Sequence, residues 1–238
     1  MSGLTDMHCH ILPGLDDGAQ DMDESLDALY DAYQQGITAV IATPHFFPEK
    51  YEPAPEQIMQ AIDDVRRACR EEGINVTIYP GQELMYYNGL VDLLEQKRVL
   101  TMAGSRYVLV EFDTGCSWNY LHGALREIRD AGYTPIVAHF ERFGCLFEGG
   151  HAEQLKKEGY LIQMNFGRLL EKDTFLKKNK WRRYLQDGLV DYLGSDCHGT
   201  HYRPYRVAPA AEWLEKGLPR DVRKRVLQEN IDRILYDM

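Results

Sequence analysis

Seven times along this chain a short β-branched or aromatic run is followed by a longer segment of helical period, and that repeat constrains the fold more than any other feature. Runs such as TAVIAT, YVLVEF and TPIVAH are almost continuously apolar, as parallel strands covered by helices must be. The strands are expected around Leu4 to His8, then at Thr38 to Thr43, Val76 to Pro80, Tyr107 to Phe112, Thr134 to His139, Tyr160 to Asn165 and Val190 to Asp196. Between them the spacing predicts helices over Met22 to Gln35, Glu56 to Glu72, Leu90 to Gln96, Tyr120 to Ala131, Ala152 to Glu158 and near Lys172 to Gln186, with further helices at the C-terminus. Asp21 or Asp23 serves as the first helix cap, and Gly36, Gly73 and Gly132 stand where helices should stop. No Pro/Gly/Ser linker interrupts the pattern, so residues 1–238 read as one α/β domain.

Seven βα units can form an open doubly wound sheet or a closed barrel, and the polar residues decide between them. An open sheet collects its chemistry at one switch point, whereas a barrel draws it from nearly every strand end. The first strand runs into DMHCH, where alternation puts His8 and His10 on one face and Cys9 on the other. Later strands lead to His45 in TPH, Glu83 in GQE, Glu111 in VEF and His139 in VAH, and the seventh to Asp196 and His198 around Cys197. Eight nitrogen and oxygen donors thus fall at the carboxyl ends of six expected strands, which favours a barrel with its site at that rim.

Burying five imidazoles and several carboxylates at one rim without a counter-charge would cost several kcal/mol per group, a cost that divalent cations remove. Eight donors exceed the three or four of a single open site, so two or three ions are expected. With Cys9 and Cys197 facing away, the donors are nitrogen and oxygen, which suits Mn, Fe or Zn. His122 and His151, alone in their segments, are read as ordinary surface or packing residues.

Composition closes off other classes. With 27 Lys and Arg against 37 Asp and Glu, the formal charge is −10, and no segment is basic enough to track a phosphate backbone, so nucleic acid is not an expected partner. The apolar runs are a few residues long where a membrane span needs about 20, and the polar, acidic N-terminal segment does not resemble a secretory signal. Five unpaired-looking cysteines suit a reducing compartment, and the protein is expected in the cytoplasm. No feature specifies an oligomeric state.

These residues resemble the PHP (polymerase and histidinol phosphatase) superfamily of metal-dependent phosphoesterases, with H-x-H near the start and D-x-H near the end. DMHCHILPGLDDG, ATPHF, GQEL, VEF, AHFER and SDCHG are similar, in order and spacing, to the bacterial manganese-dependent protein-tyrosine phosphatases of capsule and exopolysaccharide operons. The resemblance implies a distorted seven-unit TIM-like barrel with up to three ions, most often Mn, and it adds Asp17 as a ninth ligand, with Asp16 as its rival. It implies one ion between His8, His10, Glu83 and Asp196, a second between Glu83, Glu111 and His139, and a third held by Asp17, His45 and His198. Arg142 and Arg203 would hold phosphate oxygens, although Arg142 could instead pair with Glu141 or Glu111. Phe140 and Gly199 depart from the family pattern, which often has Pro and Asn there, and are expected to reshape the substrate mouth.

The implied reaction is hydrolysis of phosphotyrosine by a hydroxide bridging two ions, with Glu111 and His139 at the reacting centre and the tail of a membrane-associated tyrosine kinase as partner. A tyrosine leaving group, with a pKa near 10, departs without a strongly perturbed general acid. The rival substrates are small phosphomonoesters such as histidinol phosphate. Nucleases share the superfamily, and metal-dependent amidohydrolases use similar ligands. From other classes, Cys197 and Arg203 fit the C-x5-R spacing of cysteine-dependent phosphatases, and a barrel using metal only for stability would be a non-catalytic binding module. Phe46, Phe47, Tyr51, Trp118, Tyr120, Phe140, Tyr202 and Tyr205 are candidates to line a channel for a phenolic ring.

Overall fold

Among the described residues all seven strand-to-strand pairings are parallel. The structure, a computed structural model, describes residues 3–172 and 179–236. Its strands are β1 Leu4–Cys9, β2 Ile37–Ala42, β3 His45–Phe46, β4 Thr77–Pro80, β5 Glu83–Met85, β6 Tyr107–Glu111, β7 Thr134–Val137, β8 Leu161–Asn165 and β9 Tyr192–Gly194. The helices are α1 Met22–Gln34, α2 Pro55–Glu71, α3 Leu90–Glu95, α4 Trp118–Asp130, α5 His151–Lys157, α6 Lys180–Gln186, α7 Val207–Gly217, α8 Arg220–Lys224 and α9 Asn230–Tyr236. Residues 173–178 of the helix expected near Lys172 to Gln186 lie outside the described residues, as do the ends of the expected 1–238 domain.

The seven expected units are present, but the second and third strands are each broken in two. Thr43 and Pro44 separate β2 from β3, and Gly81 and Gln82, after Pro80 at the end of β4, separate β4 from β5. Proline has no N–H to give a central ladder, so each strand bends there and changes partners. The lower halves join β1-β2-β4, and the upper halves join β3-β5-β6-β7-β8-β9. The result is a curled, distorted (β/α)7 barrel. Gly81 permits the crossing, since a Cβ there would lie 2.8 Å from Ile41 Cγ2.

A short seam closes the barrel where β1 meets the turn after β9. Asp196 N–H donates to the His8 carbonyl at 2.8 Å and His10 N–H to the Cys197 carbonyl at 2.8 Å. Below them the fully buried Asp6 accepts the Ser195 N–H at 2.8 Å and its hydroxyl at 2.5 Å. At Gly194 a Cβ would meet the Cβ of His8 at 2.6 Å, so the seam is also tight enough to require glycine.

Two apolar layers support this wall. Inside, Met7, Ile41, Leu109, Ile136 and Tyr192 from five strands meet Ile231 and Ile234 of α9, which plugs the end of the barrel opposite the polar rim. Outside, the helices bury their stripes, as with Ile58, Ile62, Val65 and Cys69 on α2 and Leu121, Ala124, Leu125 and Ile128 on α4. Asp21, one of the two expected caps, accepts the Glu24 N–H and starts α1. Among the described residues no helix is long and apolar enough to cross a membrane.

The seam makes a stability prediction. Asp6→Ala leaves the Ser195 N–H without its buried acceptor and the hydroxyl with only the His8 carbonyl at 3.2 Å, so urea unfolding should show a loss of about 2–3 kcal/mol with little change in m-value. An unchanged midpoint would show that the seam closes without Asp6.

Candidate metal centre

Glu83, fully buried at the start of β5, stands at the middle of the polar rim. Its Oε2 lies 3.0 Å from His8 Nε2, 3.2 Å from His10 Nε2 and 3.3 Å from His45 Nδ1. Its Oε1 lies 2.7 Å from His139 Nε2. Asp196 Oδ1 completes one side, 3.7 Å from His8 Nε2 and 3.5 Å from His10 Nε2. On the other side Glu111, at the end of β6, comes within 3.0 Å of His45 Nδ1 and 3.6 Å of His139 Nε2. Asp17, on the loop before α1, brings Oδ1 to 3.5 Å from both His45 Nε2 and His198 Nε2. All nine candidate ligands therefore converge at one end of the barrel.

The donors fall into three compact groups that could each hold an ion: His8, His10, Glu83 and Asp196; His45, Glu83 and Glu111; and His10, His45 and His198. The first is the set the resemblance implies. In the second His45 takes the place expected for His139, which contacts the same two carboxylates from beneath, and in the third His10 joins His45 and His198 beside Asp17. His45 sits more centrally than its strand-end position suggested because β3 pairs it directly with Glu83 on β5.

The orienting groups were not singled out in the sequence. Gln163 Oε1, on β8, accepts the His139 backbone N–H at 2.6 Å and faces His8 Nδ1 at 3.2 Å. Gln163 Nε2 donates to Asn165, and Asn165 Nδ2 donates to Asp196 Oδ2 at 2.9 Å. The sixth strand, which supplies no ligand, thus aligns three of them. Its signal was visible as two amides at i, i+2 inside the apolar run YLIQMN. Asp16 likewise separates from Asp17: buried, it pairs with His10 Nδ1 at 2.7 Å and accepts the His45 N–H at 2.8 Å. A carboxylate or amide on Nδ1 leaves Nε2 of His8 and His10 as the free donor atoms of the cluster.

The fit to cations rests on the buried atoms that have nothing else to bind. Both Glu83 oxygens, His45 Nδ1 and His139 Nε2 are buried and lack a hydrogen bond of acceptable angle among the described residues, although they crowd within contact distance of one another. Burial opposes charge on Glu83, but His8, His45 and His139 hold its carboxyl well below the ordinary range. Burial likewise opposes protonation of His10, His45 and His139, yet the facing carboxylates, Asp16 and Glu83 foremost for His10, raise all three. His198 is lowered by burial and by His10. Opposed carboxylates and imidazoles this deeply buried call for positive charge between them, which divalent cations are chemically suited to supply.

Arg142 and Arg203 reach this cluster from the rim. Arg142 pairs with Asp196, not with Glu141 or Glu111, and Arg203 Nη1 lies 3.3 Å from both Asp196 oxygens and 3.2 Å from His198 Nε2. Of the expected aromatic channel, Phe46, Phe140 and Tyr205 are buried in packing, and Phe140 faces Phe147 and Trp181 instead of the substrate mouth. Tyr51 stacks beside His45 with centroids 6.2 Å apart, and the exposed Tyr202 stands edge-on to His198 at 6.4 Å. His122 pairs with Glu158, and His151 stacks on Trp118, both apart from the cluster. Cys9 and Cys197 face each other across the seam with no exposure.

A model of the capsular polysaccharide synthesis family CpsB/CapC matches residues 4–236. The chain belongs to the CpsB/CapC family. It is 30% identical over 244 residues to the tyrosine-protein phosphatase CpsB of Streptococcus pneumoniae, covering 98% of this chain and 99% of that one. Identity to the tyrosine-protein phosphatase YwqE of Bacillus subtilis is 30% over 235 residues, covering 98% and 91%. A solved structure from work on YwqE and CpsB, described as metal-dependent tyrosine phosphatases, superposes with a TM-score of 0.88 at 29% identity over 99% of this chain and 95% of that one. The phosphotriesterase homology protein of Escherichia coli shares the fold at 15% identity and a TM-score of 0.61, covering 100% and 99%. In this CpsB/CapC chain the nine converging donors therefore lie at one end of a barrel whose fold extends to that distant protein.

Two outcomes follow from the geometry. Gln163→Ala should weaken Mn binding about 10- to 100-fold in a calorimetric titration while leaving every ligand in place. Because the facing carboxylates raise His10, His45 and His139, uptake of a divalent cation such as Mn near neutral pH should release protons, and affinity should fall as the pH is lowered. Titration in buffers of different ionisation enthalpy reads the released protons, and a heat independent of buffer would contradict this account.

Proposed function

We propose that this chain is a metal-dependent phosphatase of protein phosphotyrosine, working as one domain in the cytoplasm on the tail of a tyrosine kinase that governs polysaccharide assembly. The observation that carries the reading is the group of buried imidazoles and carboxylates around Glu83, with orphaned atoms turned inward, in a chain of the CpsB/CapC family. His8, His10, Glu83 and Asp196 would hold one ion; His45, Glu83 and Glu111, with His139 beside them, a second; and His10, His45 and His198 with Asp17 a third. Mn is the proposed metal, the donor set being nitrogen and oxygen throughout. Divalent cations bound there supply a nucleophile at neutral pH and positive charge facing the phosphoryl oxygens.

The chain's own contribution is placement. Arg142 and Arg203, held now by Asp196, carry forked donors that suit two phosphoryl oxygens once that carboxylate is engaged elsewhere. Tyr51 and Tyr202 flank the histidines as walls for the phenol ring. Glu111 and His139 line the reacting centre, and Glu83 and Gln163 fix the His139 ring and backbone there. No side chain has to deliver a proton to a phenolate, whose pKa of about 10 makes it an adequate leaving group.

The thiolate alternative does not fit the geometry. The Cys197 Sγ is fully buried, points to the Gly199 carbonyl at 3.4 Å and is pushed up to about 12, first by burial. The Arg203 guanidinium lies on Asp196 and His198. Cys197→Ser should therefore retain hydrolysis of a phosphotyrosine peptide within about threefold, and EDTA should abolish it with recovery on adding Mn. Chelator-resistant turnover, or its loss in Cys197→Ser with the fold intact, would overturn the reading, and faster turnover of histidinol phosphate would redirect it to small phosphomonoesters.

A further inference from the structure

Beside the metal centre a groove of about 500 Å³ runs outward between the end of β8 and the segment before α7. Its inner end is Ser195, Asp196, Arg142 and Arg203; its outer walls carry Arg168 and Glu171 on one side and His201 and Arg206 on the other. Four guanidinium groups thus face two carboxylates, on a chain whose formal charge is −10. The volume falls in the range of about 300–1,000 Å³ typical of sites for larger ligands, well beyond one phosphoryl group.

Arg168 and Arg206 have no part in the cluster around Glu83. Arg168 is held in place by Glu171 at 2.8 Å, Glu141 at 3.5 Å and the Trp181 ring at 5.6 Å. Glu171 is engaged on its own wall, one oxygen by Arg168 and the other by the Trp181 indole N–H at 2.9 Å. There, the exposed Arg206 has no carboxylate partner among the described residues. Its backbone is nonetheless fixed: Gln35 accepts the Val207 and Ala208 N–H groups and donates to the Tyr205 carbonyl. A cation on an anchored backbone, opposite a second guanidinium that packing has already oriented, is preorganised for an anion.

We propose that this groove is a second anion subsite, which takes the carboxylate of an acidic residue flanking the phosphotyrosine. The proposal rests on the phosphatase reading above. Arg142 and Arg203 belong to the phosphoryl end, whereas Arg206 and Arg168 read the flank, and so the enzyme selects acidic phosphopeptides despite its own negative charge. The local field of the groove exceeds the distant field of the acidic surface at contact range, because salt screens charges beyond about 8–10 Å.

The test compares two phosphotyrosine peptides that differ only in flanking Glu or Gln residues, on the Mn-loaded protein. Wild-type protein should prefer the Glu peptide roughly fivefold in kcat/KM, through KM, and the preference should shrink as salt is raised. In Arg206→Gln, and further in Arg206→Gln with Arg168→Gln, the ratio should approach one. Because each protein is compared with itself on two peptides, partial loss of folding does not alter the ratio. The same pair of peptides carrying a non-hydrolysable phosphonate gives dissociation constants that should show the same ratio. Equal handling of the two peptides by the wild-type protein, or a ratio that survives both substitutions, would overturn the subsite. Failure to hydrolyse either peptide would overturn the phosphatase reading, and the phosphonate constants would still decide on the groove.

Discussion

A carboxylate with no solvent exposure, Glu83, faces four imidazoles, and the rest of the rim is arranged around that fact. An isolated buried carboxylate would be neutralised by protonation, but here the neighbouring histidines favour its charge over its burial penalty. Glu83 in turn helps to raise His10, His45 and His139 above the usual imidazole range. Such an arrangement needs positive charge between the carboxylates, and its buried nitrogen and oxygen donors fall into groups that could each hold a divalent cation.

The same constraint explains why the barrel is distorted. A regular seven-unit barrel would bring each donor from the last residue of one strand. In this chain the second and third strands stop at Pro44 and Pro80 and resume as β3 and β5, so that His45 and Glu83 begin new segments and pair side by side. The break moves both residues inward over the apolar plug of Met7, Ile41 and Leu109, which holds water away from below. On the opposite wall the Asp6 and Ser195 contacts hold the turn that carries Asp196 against β1, which carries His8. Sheet closure and ligand placement are therefore one structural event.

Much of this was legible in the sequence, and what was not has identifiable causes. Period-2 alternation put His8 and His10 on one face, and the structure keeps that relation although the pairing of β1 is irregular between Asp6 and Cys9. The apolar runs located all seven strand regions because strands buried on both faces have little else in them. The breaks at Pro44 and Pro80 were hidden because the chain continues in the same direction after each. The roles of Gln163 and Asn165 were hidden because an amide within a strand carries no charge signature, and only folding shows that β8 lies beneath both His8 and His139. Asp16 and Asp17 are neighbours of the same type, and only the loop geometry turns one toward His10 and the other toward His198.

Backbone conformation adds a last link between fold and site. Among the described residues six that are not glycine have positive φ, and three of them are His139 at 25°, Asp196 at 54° and Arg203 at 58°. Side chains rarely adopt that region because Cβ crowds the backbone, at a cost of about 1–3 kcal/mol each. At Asp196 the contorted turn lets the N–H bind β1 while the carboxylate turns back into the cluster. At Arg203 it accompanies a second inward bond, in which His198 N–H donates to the Arg203 carbonyl at 3.1 Å, so that the guanidinium is brought over the same carboxylate. The strain is offset in part by the ion pairs that Asp196 makes with Arg142 and Arg203. Both guanidinium groups also line the groove beside the cluster, where an approaching anion would meet them.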